Sequence, residues 1–195
     1  MALEQLPIID GELSLDECFL TISQADQLLE QLLSELPWRH DELTVYGKSH
    51  LMPRKHCFQS SEKISYQYSG LVLDAEPYHP KVLQLKRYLE AVTGREFNAV
   101  LINLYRDGHD KMGWHSDDET ELGDNPNIAS VSLGAQRTFK LRHKDKAAAD
   151  INLELAHGSL LLMAGALQRH WQHALPQRKK VTQPRINFTF RYLYR

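Results

Sequence analysis

The second half of the chain is a series of short runs separated by turn residues, and this pattern constrains the fold most strongly. Many short strands that follow helices are typical of an antiparallel sandwich or barrel. The predicted strands are Ala99–Tyr105, Trp114–Asp117, Ile128–Leu133, Thr138–Arg142, Ile151–Leu155, Ser159–Met163, Trp171–Leu175 and Arg185–Leu193. The sequence therefore predicts a mainly β (α+β) fold, a double-stranded β-helix or jelly roll, with its core over residues 97–195.

Two amphipathic helices are predicted in the first half of the chain. Ser23 and Asp26 form a candidate capping pair, and the leucines that follow recur at helical spacing up to Leu36. Pro80 suits a first helical position, and the apolar stripe after it ends at Gly94. We expect both N-terminal helices to back one sheet of the jelly roll.

Three further segments in the first half are predicted to be strands or a β-rich insertion before the barrel: Thr44–Gly47, Arg54–Gln59 and Ser65–Gly70. The sequence has no internal repeat and no Gly/Ser-rich or Pro-rich linker. It therefore predicts a single domain over residues 1–195.

The charge is unevenly distributed, although the formal net charge is only −2. Residues 1–45 carry ten acidic side chains and one basic, whereas residues 169–195 carry seven basic side chains and no acidic one. This asymmetry fits either solvated faces of opposite sign or an anionic partner such as nucleic acid. The candidates for phosphate contacts are Arg54, Lys55, Arg178, Lys179 and Lys180, which a solvated basic rim would explain equally well.

Apolar runs and cysteines indicate a cytosolic protein without a membrane partner. The longest stretch without a polar side chain, Leu160–Leu167, is far shorter than the roughly 20 residues of a transmembrane helix. The first twenty residues carry acids but no Lys or Arg, so no targeting peptide is expected. Cys18 and Cys57 lack CxxC spacing and are expected to be unreactive thiols.

The pair His115 and Asp117 is a candidate half of a metal site. Residues two apart on a strand point to the same face, and two His with one carboxylate bind Fe(II) in non-haem oxygenases. Taken alone, a His-x-Asp pair is more often two polar surface residues. A second His must come from another strand, and spacing leaves four candidates open. They are His143, His157, His170 and His173.

The last predicted strand has one polar and one apolar face. Ile186, Phe188 and Phe190 are expected to pack on the core, and the residues between them form the polar face. That polar face carries Arg185, Asn187, Thr189 and Arg191. By itself it suits a sheet surface in water, but next to an iron site it suits a dicarboxylate, which Arg binds in a bidentate manner. Asn103 and Tyr105 would add neutral hydrogen-bonding groups to the same wall.

Taken together, these motifs resemble the AlkB family of Fe(II)/2-oxoglutarate-dependent dioxygenases, in order from about residue 44 to the end. The matching segments are Asn103-Leu-Tyr105, Trp114-His115-Ser-Asp117-Asp118-Glu119, Ser130-Val-Ser-Leu-Gly134, Arg137-Thr-Phe, His157-Gly-Ser-Leu-Leu161, His170-Trp-Gln-His173 and Pro184-Arg185-Ile-Asn187-Phe-Thr189-Phe-Arg191. The resemblance implies that His115, Asp117 and His173 bind iron and form the catalytic centre. It also implies that Asn103, Tyr105, Arg185, Thr189 and Arg191 bind 2-oxoglutarate, with Asn187 supporting them.

Residues of about 40–75 resemble the nucleotide-recognition lid of the DNA-repair branch that acts on duplex DNA. The matching segments are Val45-Tyr46-Gly47-Lys48, Pro53-Arg54-Lys55 and Tyr66-Gln67-Tyr68-Ser-Gly70. The resemblance implies that Tyr46 is a finger inserted into the helix, that Tyr66 and Tyr68 line the pocket for the extruded base, and that Asp118 contacts that base. Tyr replaces the Phe expected of duplex specialists, and Gln67 replaces a small polar residue, so strand preference stays open.

The resemblance implies oxidative demethylation of 1-methyladenine and 3-methylcytosine in DNA, using Fe(II), O2 and 2-oxoglutarate and releasing formaldehyde, succinate and CO2. The expected partner is alkylated DNA, single- or double-stranded, with RNA as an alternative. The expected state is a monomer in the cytoplasm, at the nucleoid of a bacterium or in the nucleus of a eukaryote. Two rival functions are a dioxygenase of the same fold that acts on RNA or protein, and a noncatalytic jelly-roll module with a structural metal.

Overall fold

Two antiparallel sheets lie face to face at the centre of the fold, and two helices cover the outer face of the larger one. The computed structural model describes residues 3–45, 48–68 and 71–194. The strands are β1 (Glu4–Leu6), β2 (Glu12–Asp16), β3 (Glu42–Val45), β4 (Lys48–Leu51), β5 (Lys55–Ser60), β6 (Ser65–Tyr68), β7 (Leu71–Asp74), β8 (Ala99–Tyr105), β9 (Met112–His115), β10 (Ile128–Gly134), β11 (Arg137–His143), β12 (Ile151–Leu155), β13 (Leu160–Ala164), β14 (Trp171–Leu175) and β15 (Arg185–Arg191). The helices are α1 (Ile22–Glu35), α2 (Pro80–Thr93) and the short α3 (Leu167–His170), with a 3₁₀ turn at Thr120–Leu122.

The larger sheet has the strand order β1-β2-β13-β10-β15-β8-β5, and the smaller sheet has the order β12-β11-β14-β9. Two separate hairpins, β3-β4 and β6-β7, flank β5 in the chain. This architecture confirms the predicted double-stranded β-helix with helices backing one sheet. None of the helices within the described ranges is both long and apolar enough to cross a membrane.

The alternation along β15 places its two faces in different layers. Ile186, Phe188 and Phe190 belong to the apolar cluster that contains Leu32 of α1 and Leu85 of α2. The intervening polar side chains point between the two sheets, as their period-2 spacing predicts. The fold therefore buries a polar strand face inside the barrel, where it forms part of a cavity.

Helix α1 begins two residues earlier than its sequence signals suggest. The predicted capping pair of Ser23 and Asp26 is wrong, because Thr21 is the N-cap and forms a capping box with Gln24. The Gln24 backbone N–H donates to Thr21 Oγ1 at 3.3 Å, and the Thr21 N–H donates to Gln24 Oε1 at 3.0 Å. Asp26 Oδ1 instead lies 3.1 Å from Nε2 of His157, which is in the loop between β12 and β13.

Helix α2 follows its sequence signals closely. Pro80 occupies the first turn and His79 is the N-cap. Gly94 ends the helix in the left-handed conformation, with φ 64°, which favours Gly.

Most predicted strands correspond to observed ones. The strand predicted at Thr44–Gly47 overlaps β3 only at Thr44 and Val45, and its other two residues lie outside the described residues. The strand predicted at Trp114–Asp117 is Met112–His115, so Asp117 lies beyond its end. Four observed strands were not predicted: β4 and β7, the second strands of the two hairpins, and β1 and β2, although β2 pairs with β13 through five residues of the larger sheet. The polar outward positions and short length of β1 and β2 hide them from a periodicity search.

The capping box of α1 gives a test of the fold. Thr21→Ala is expected to lower the free energy of unfolding by about 1 kcal/mol, because the Gln24 N–H loses its acceptor. Ser34→Ala on the exposed face of the same helix is the control. The Ser34 hydroxyl donates to the Gln31 carbonyl within the helix and caps no free N–H. Urea unfolding measures both; equal losses in the two variants would contradict the capping role.

Candidate metal centre and anion pocket

His115, Asp117 and His173 come together inside the barrel. Each offers a ligand atom, and these atoms lie within 4.8 Å of one another. His115 ends β9 directly opposite His173 of β14, and their ring centroids are 4.2 Å apart. His173 Nε2 is 3.8 Å from Asp117 Oδ2. Strand pairing therefore brings one imidazole to the other, and the turn after β9 adds the carboxylate.

The other candidate histidines lie elsewhere. His143 Nε2 is 3.2 Å from Asp10 Oδ2, and His157 Nε2 contacts Asp26. His170 ends α3 and its ring stacks on the His143 ring, so it lies before the strand Trp171–Leu175 that carries His173. The geometry brings His173, alone of these four, to the pair His115 and Asp117.

The protonation states of the triad suit a divalent metal ion. Burial lowers the pKa of His173 to about 3, so its imidazole is neutral. His173 Nδ1 is buried and has no hydrogen-bond partner among the described residues. His115 Nδ1 lies 2.9 Å from the Gly113 carbonyl oxygen, to which it donates when Nε2 is left as the ligand atom. Two imidazoles and one carboxylate are the ligand set of Fe(II) oxygenases, so these residues fit that ion.

Two hydrogen bonds with neighbouring residues hold Asp117 in place even without a metal ion. Its backbone N–H donates to Gln168 Oε1 at 2.9 Å, and its Oδ1 accepts from Arg191 Nη2 at 3.3 Å. Burial by itself would raise the pKa of Asp117, but the positive charge of the Arg191 guanidinium holds it below its ordinary value. The carboxylate therefore stays ionised without a metal.

Arg191 connects this carboxylate to the segment that precedes the barrel. Its Nη1 donates to the Tyr66 hydroxyl at 2.7 Å, and the guanidinium carbon lies 5.3 Å from the Tyr66 ring centroid. Burial raises the pKa of Tyr66, which keeps the phenol protonated. The predicted cosubstrate residue Arg191 is thus engaged with Asp117 and Tyr66, although it also lines the cavity.

Arg185 is the other charged group of the β15 polar face, and most of its hydrogen-bonding capacity is unused. Its Nη2 donates to Ser132 Oγ at 2.9 Å, whereas Nε and Nη1 have no partner among the described residues. Burial lowers the pKa of Arg185 to about 10, so the group remains charged at neutral pH. A buried guanidinium with unused donors is costly unless an anion completes it. This end of the cavity is therefore a candidate anion pocket.

One cavity contains the triad, Arg185 and all the other predicted cosubstrate residues. Its lining is Leu101, Asn103, Tyr105, Met112, His115, Asp117, Ser130, Phe139, Met163, His173, Ala174, Leu175, Arg185, Asn187, Thr189 and Arg191. The Tyr105 ring lies 5.4 Å from the guanidinium carbon of Arg185. Asn187 Nδ2 donates to Ser130 Oγ and to the Val131 carbonyl, which suits its predicted supporting role.

The predicted substrate residues are distributed differently. Tyr46 and Gly47 lie outside the described residues, as do the side chains of Lys48, Gln67 and Tyr68. Asp118 is 60 % exposed and lies 3.4 Å from Lys144 Nζ.

Two substrate predictions require correction. Arg54 is buried and its Nε donates to Asn103 Oδ1 at 3.0 Å, so the guanidinium braces the cavity wall and is not presented to a phosphate. Tyr66 is fully buried against Phe58 and Arg191, so its ring is not available to stack on a base.

The other basic candidates for phosphate contacts lie at the surface. Arg178 is half exposed and pairs with Glu154 at 3.3 Å. Lys179 and Lys180 are exposed in the turn that precedes β15, whereas Lys55 is half-buried at the start of β5.

Several residues of the site were missed by sequence reasoning. Gln168 sits in a four-residue helix that has no sequence signal, and Ser132 is an inward polar residue of a strand whose alternation could have indicated it. Glu119 hydrogen-bonds Tyr66, and burial and the charge of Asp117 raise the pKa of its carboxyl group. Glu119 belongs to the motif that begins at Trp114, but the motif implies no role for it.

Comparison with known proteins agrees with this arrangement. Residues 13–191 match the family described as the 2OG-Fe(II) oxygenase superfamily. DNA oxidative demethylase ALKBH2 of Homo sapiens is 42% identical over 189 residues, which cover 90% of this chain and 72% of the relative. Alpha-ketoglutarate-dependent dioxygenase alkB homolog 3 of Homo sapiens is 38% identical over 185 residues, or 90% of this chain and 64% of the relative. The solved structure of OsALKBH1 shares the fold, with a TM-score of 0.63 at 18% identity over 95% of this chain and 100% of that chain.

The two buried arginines Arg185 and Arg137 give a test of the anion pocket. Arg185→Met is expected to change the free energy of unfolding by less than about 1 kcal/mol without ligand, because the guanidinium makes few of its hydrogen bonds. Arg137→Met is the control, since Arg137 donates to the carbonyls of Asp107, Asp110 and Pro176. Its loss is expected to cost about 3 kcal/mol in urea unfolding. Equal costs would mean that Arg185 is a structural residue.

Proposed function

The chain belongs to the AlkB family of the 2OG-Fe(II) oxygenase superfamily, and from that premise we propose that it repairs alkylated DNA by oxidative demethylation. The substrates we propose are 1-methyladenine and 3-methylcytosine. The observation that carries the proposal is a single cavity with a His115, Asp117 and His173 triad at one position and the incompletely bonded Arg185 at another.

The family's Fe(II), 2-oxoglutarate and O2 define what each side chain does. His115, Asp117 and His173 would hold the iron, and Arg185 would bind the distal carboxylate of 2-oxoglutarate through its Nε and Nη1 donors. Asn103, Tyr105 and Thr189 would add contacts to the cosubstrate, and Arg191 would orient Asp117. With iron and 2-oxoglutarate bound, O2 would be the oxidant: one oxygen atom would enter succinate as 2-oxoglutarate loses CO2, and the other would leave with the methyl group as formaldehyde.

The protein's own contribution is to position the methylated base and exclude competing reactions. A methylated base pairs poorly and unstacks at low cost, so it is readily extruded into a pocket. We propose that Tyr46 fills the gap in the helix, that Tyr68 contacts the extruded base, and that Asp118 hydrogen-bonds its edge. Lys179 and Lys180 would contact phosphates, which makes binding dependent on salt.

The same proposal sets the partner and compartment. We propose that the chain acts as a monomer on DNA, at the nucleoid or in the nucleus according to the cell. Residues 1–195 would then form one catalytic domain, with residues of about 40–75 as its nucleotide-recognition lid and 97–195 as its jelly-roll core.

Release of formaldehyde from a methylated oligonucleotide tests the activity. The protein with Fe(II), 2-oxoglutarate and O2 is expected to release formaldehyde, and His115→Ala is expected to release none, because the triad loses a ligand. His109→Ala removes an exposed imidazole and serves as the control. Thermal stabilisation by Mn²⁺ measures the metal site separately, and His115→Ala is expected to lose it.

The outcomes separate the rival functions. No formaldehyde from single- or double-stranded DNA, with succinate still formed, would indicate an oxygenase acting on RNA or protein. Stabilisation by Mn²⁺ without any turnover would indicate a noncatalytic metal-binding module.

Strand preference depends on the finger residue. Tyr46→Ala is expected to reduce demethylation of duplex substrate about tenfold while sparing single strands, because only a duplex leaves a gap to be filled. Tyr194→Ala removes an exposed ring at the C-terminus and is the control. If Tyr46→Ala left the ratio of duplex to single-strand rates unchanged, the finger assignment would be wrong.

A further inference from the structure

A tryptophan is exposed on the outer face of the smaller sheet, one residue before the metal ligand candidate His115. Trp114 is 36% exposed, whereas Trp171 of the same sheet is fully buried. Trp114 lies on β9, the edge strand of this sheet, between the cavity-lining residues Met112 and His115. The indole therefore lies on the rim of the sheet that carries the metal centre.

An arginine without an acidic partner stacks on this ring. The guanidinium carbon of Arg142 is 4.3 Å from the centroid of Trp114. Its Nε and Nη2 both donate to Gln172 Oε1, at 3.1 and 2.8 Å. No carboxylate of the described ranges lies within ion-pair distance of Arg142, so a neutral amide fixes the guanidinium without neutralising it.

One further cation lies on the same sheet face as this pair. Lys140 precedes Arg142 by two residues and therefore shares its face of β11. Among the described outward positions of these four strands, the acidic residue is Glu154 on β12, at the opposite edge of the sheet. Glu154 is already engaged by Arg178 and by the Thr138 hydroxyl. We call Trp114, Lys140, Arg142 and Gln172 the Trp114 strip.

We propose that the Trp114 strip binds the nucleic-acid strand next to the target nucleotide, with a base stacked on Trp114 and a phosphate on Arg142. This inference rests on the proposed function, because an extruded nucleotide in the cavity leaves its neighbours at the rim. An exposed aromatic ring beside an uncompensated guanidinium matches both parts of a strand: every base has a face that stacks, and every linkage has an anionic phosphate. The strip adds a contact outside the lid and outside the basic turn before β15.

Indole fluorescence reports this contact directly. The probe is a single-stranded oligonucleotide with one 1-methyladenine, added without O2 so that it is not consumed. Trp38 is partly shielded, with its Nε1 bonded to the Leu33 carbonyl, and Trp171 is buried, so the exposed Trp114 is expected to dominate quenching. The wild-type emission is expected to fall on binding, and the fall is expected to disappear in Trp114→Leu.

Affinity gives the second measurement. Trp114→Leu is expected to weaken binding of the labelled oligonucleotide roughly tenfold, the size of one lost base–aromatic stack. Arg142→Gln is expected to weaken it and to reduce its salt dependence by about one phosphate contact. Tyr88→Leu, which removes an exposed ring from α2 on the far side of the larger sheet, is expected to bind as wild type does. Equal melting temperatures of the Trp114 and Tyr88 variants verify that both are folded.

The outcomes distinguish this proposal from the proposed function. Unchanged affinity and unchanged quenching in Trp114→Leu, with demethylation intact, would overturn the strip and leave the repair function standing. Quenching and weakened binding as expected, with no demethylation by the wild type, would support the strip as a nucleic-acid contact while the repair function fails.

Discussion

Two guanidinium groups of one strand are buried between the two sheets, and the rest of the site is arranged around their charge. Arg185 and Arg191 are each 1% exposed, and β15 pairs on both sides, so neither side chain can leave its layer without breaking the larger sheet. A buried charge is tolerated only with partners. Arg191 has Asp117 and Tyr66, whereas Arg185 has one hydroxyl and an aromatic face.

Because Arg191 has an acidic partner and Arg185 has none, the two ends of the cavity differ in what they can bind. The charge of Arg191 keeps Asp117 ionised, while burial keeps His173 neutral, so Asp117 offers a negative charge to a metal ion. A divalent ion bound there would leave a net positive charge, and Arg185 adds another. Electrostatics inside the barrel therefore favours a small dianion that reaches from the metal to Arg185, which is the form of a dicarboxylate cosubstrate.

The parts of the site that depend on local periodicity were predictable from the sequence. The polar face of β15 follows from a two-residue period alone, and His115 with Asp117 follows from their spacing, although Asp117 proved to lie on the turn after the strand. The partner histidine was not predictable from spacing, because the pairing of β9 with β14 joins residues far apart in sequence. His143 and His157 looked equivalent to His173 until the N-terminal segment supplied Asp10 and Asp26 to them. The predictions for Arg54 and Tyr66 were wrong for the same reason, because the exposure of a side chain depends on tertiary packing. Their local sequence does not show that Arg54 bonds Asn103 or that Tyr66 bonds Arg191.

The burial of Tyr66 also ties hairpin β6-β7 to the candidate metal centre. Hairpin β6-β7 is not an independent appendage, since Tyr66 of β6 accepts a hydrogen bond from Arg191, which in turn binds Asp117. The same hydroxyl bonds Glu119, two residues beyond Asp117. A chain of hydrogen bonds thus joins hairpin β6-β7 to the candidate metal ligand Asp117, and any displacement of β6 must be accommodated by the side chains that orient this carboxylate. Tyr66 is therefore placed to hold this junction rather than to stack on a base.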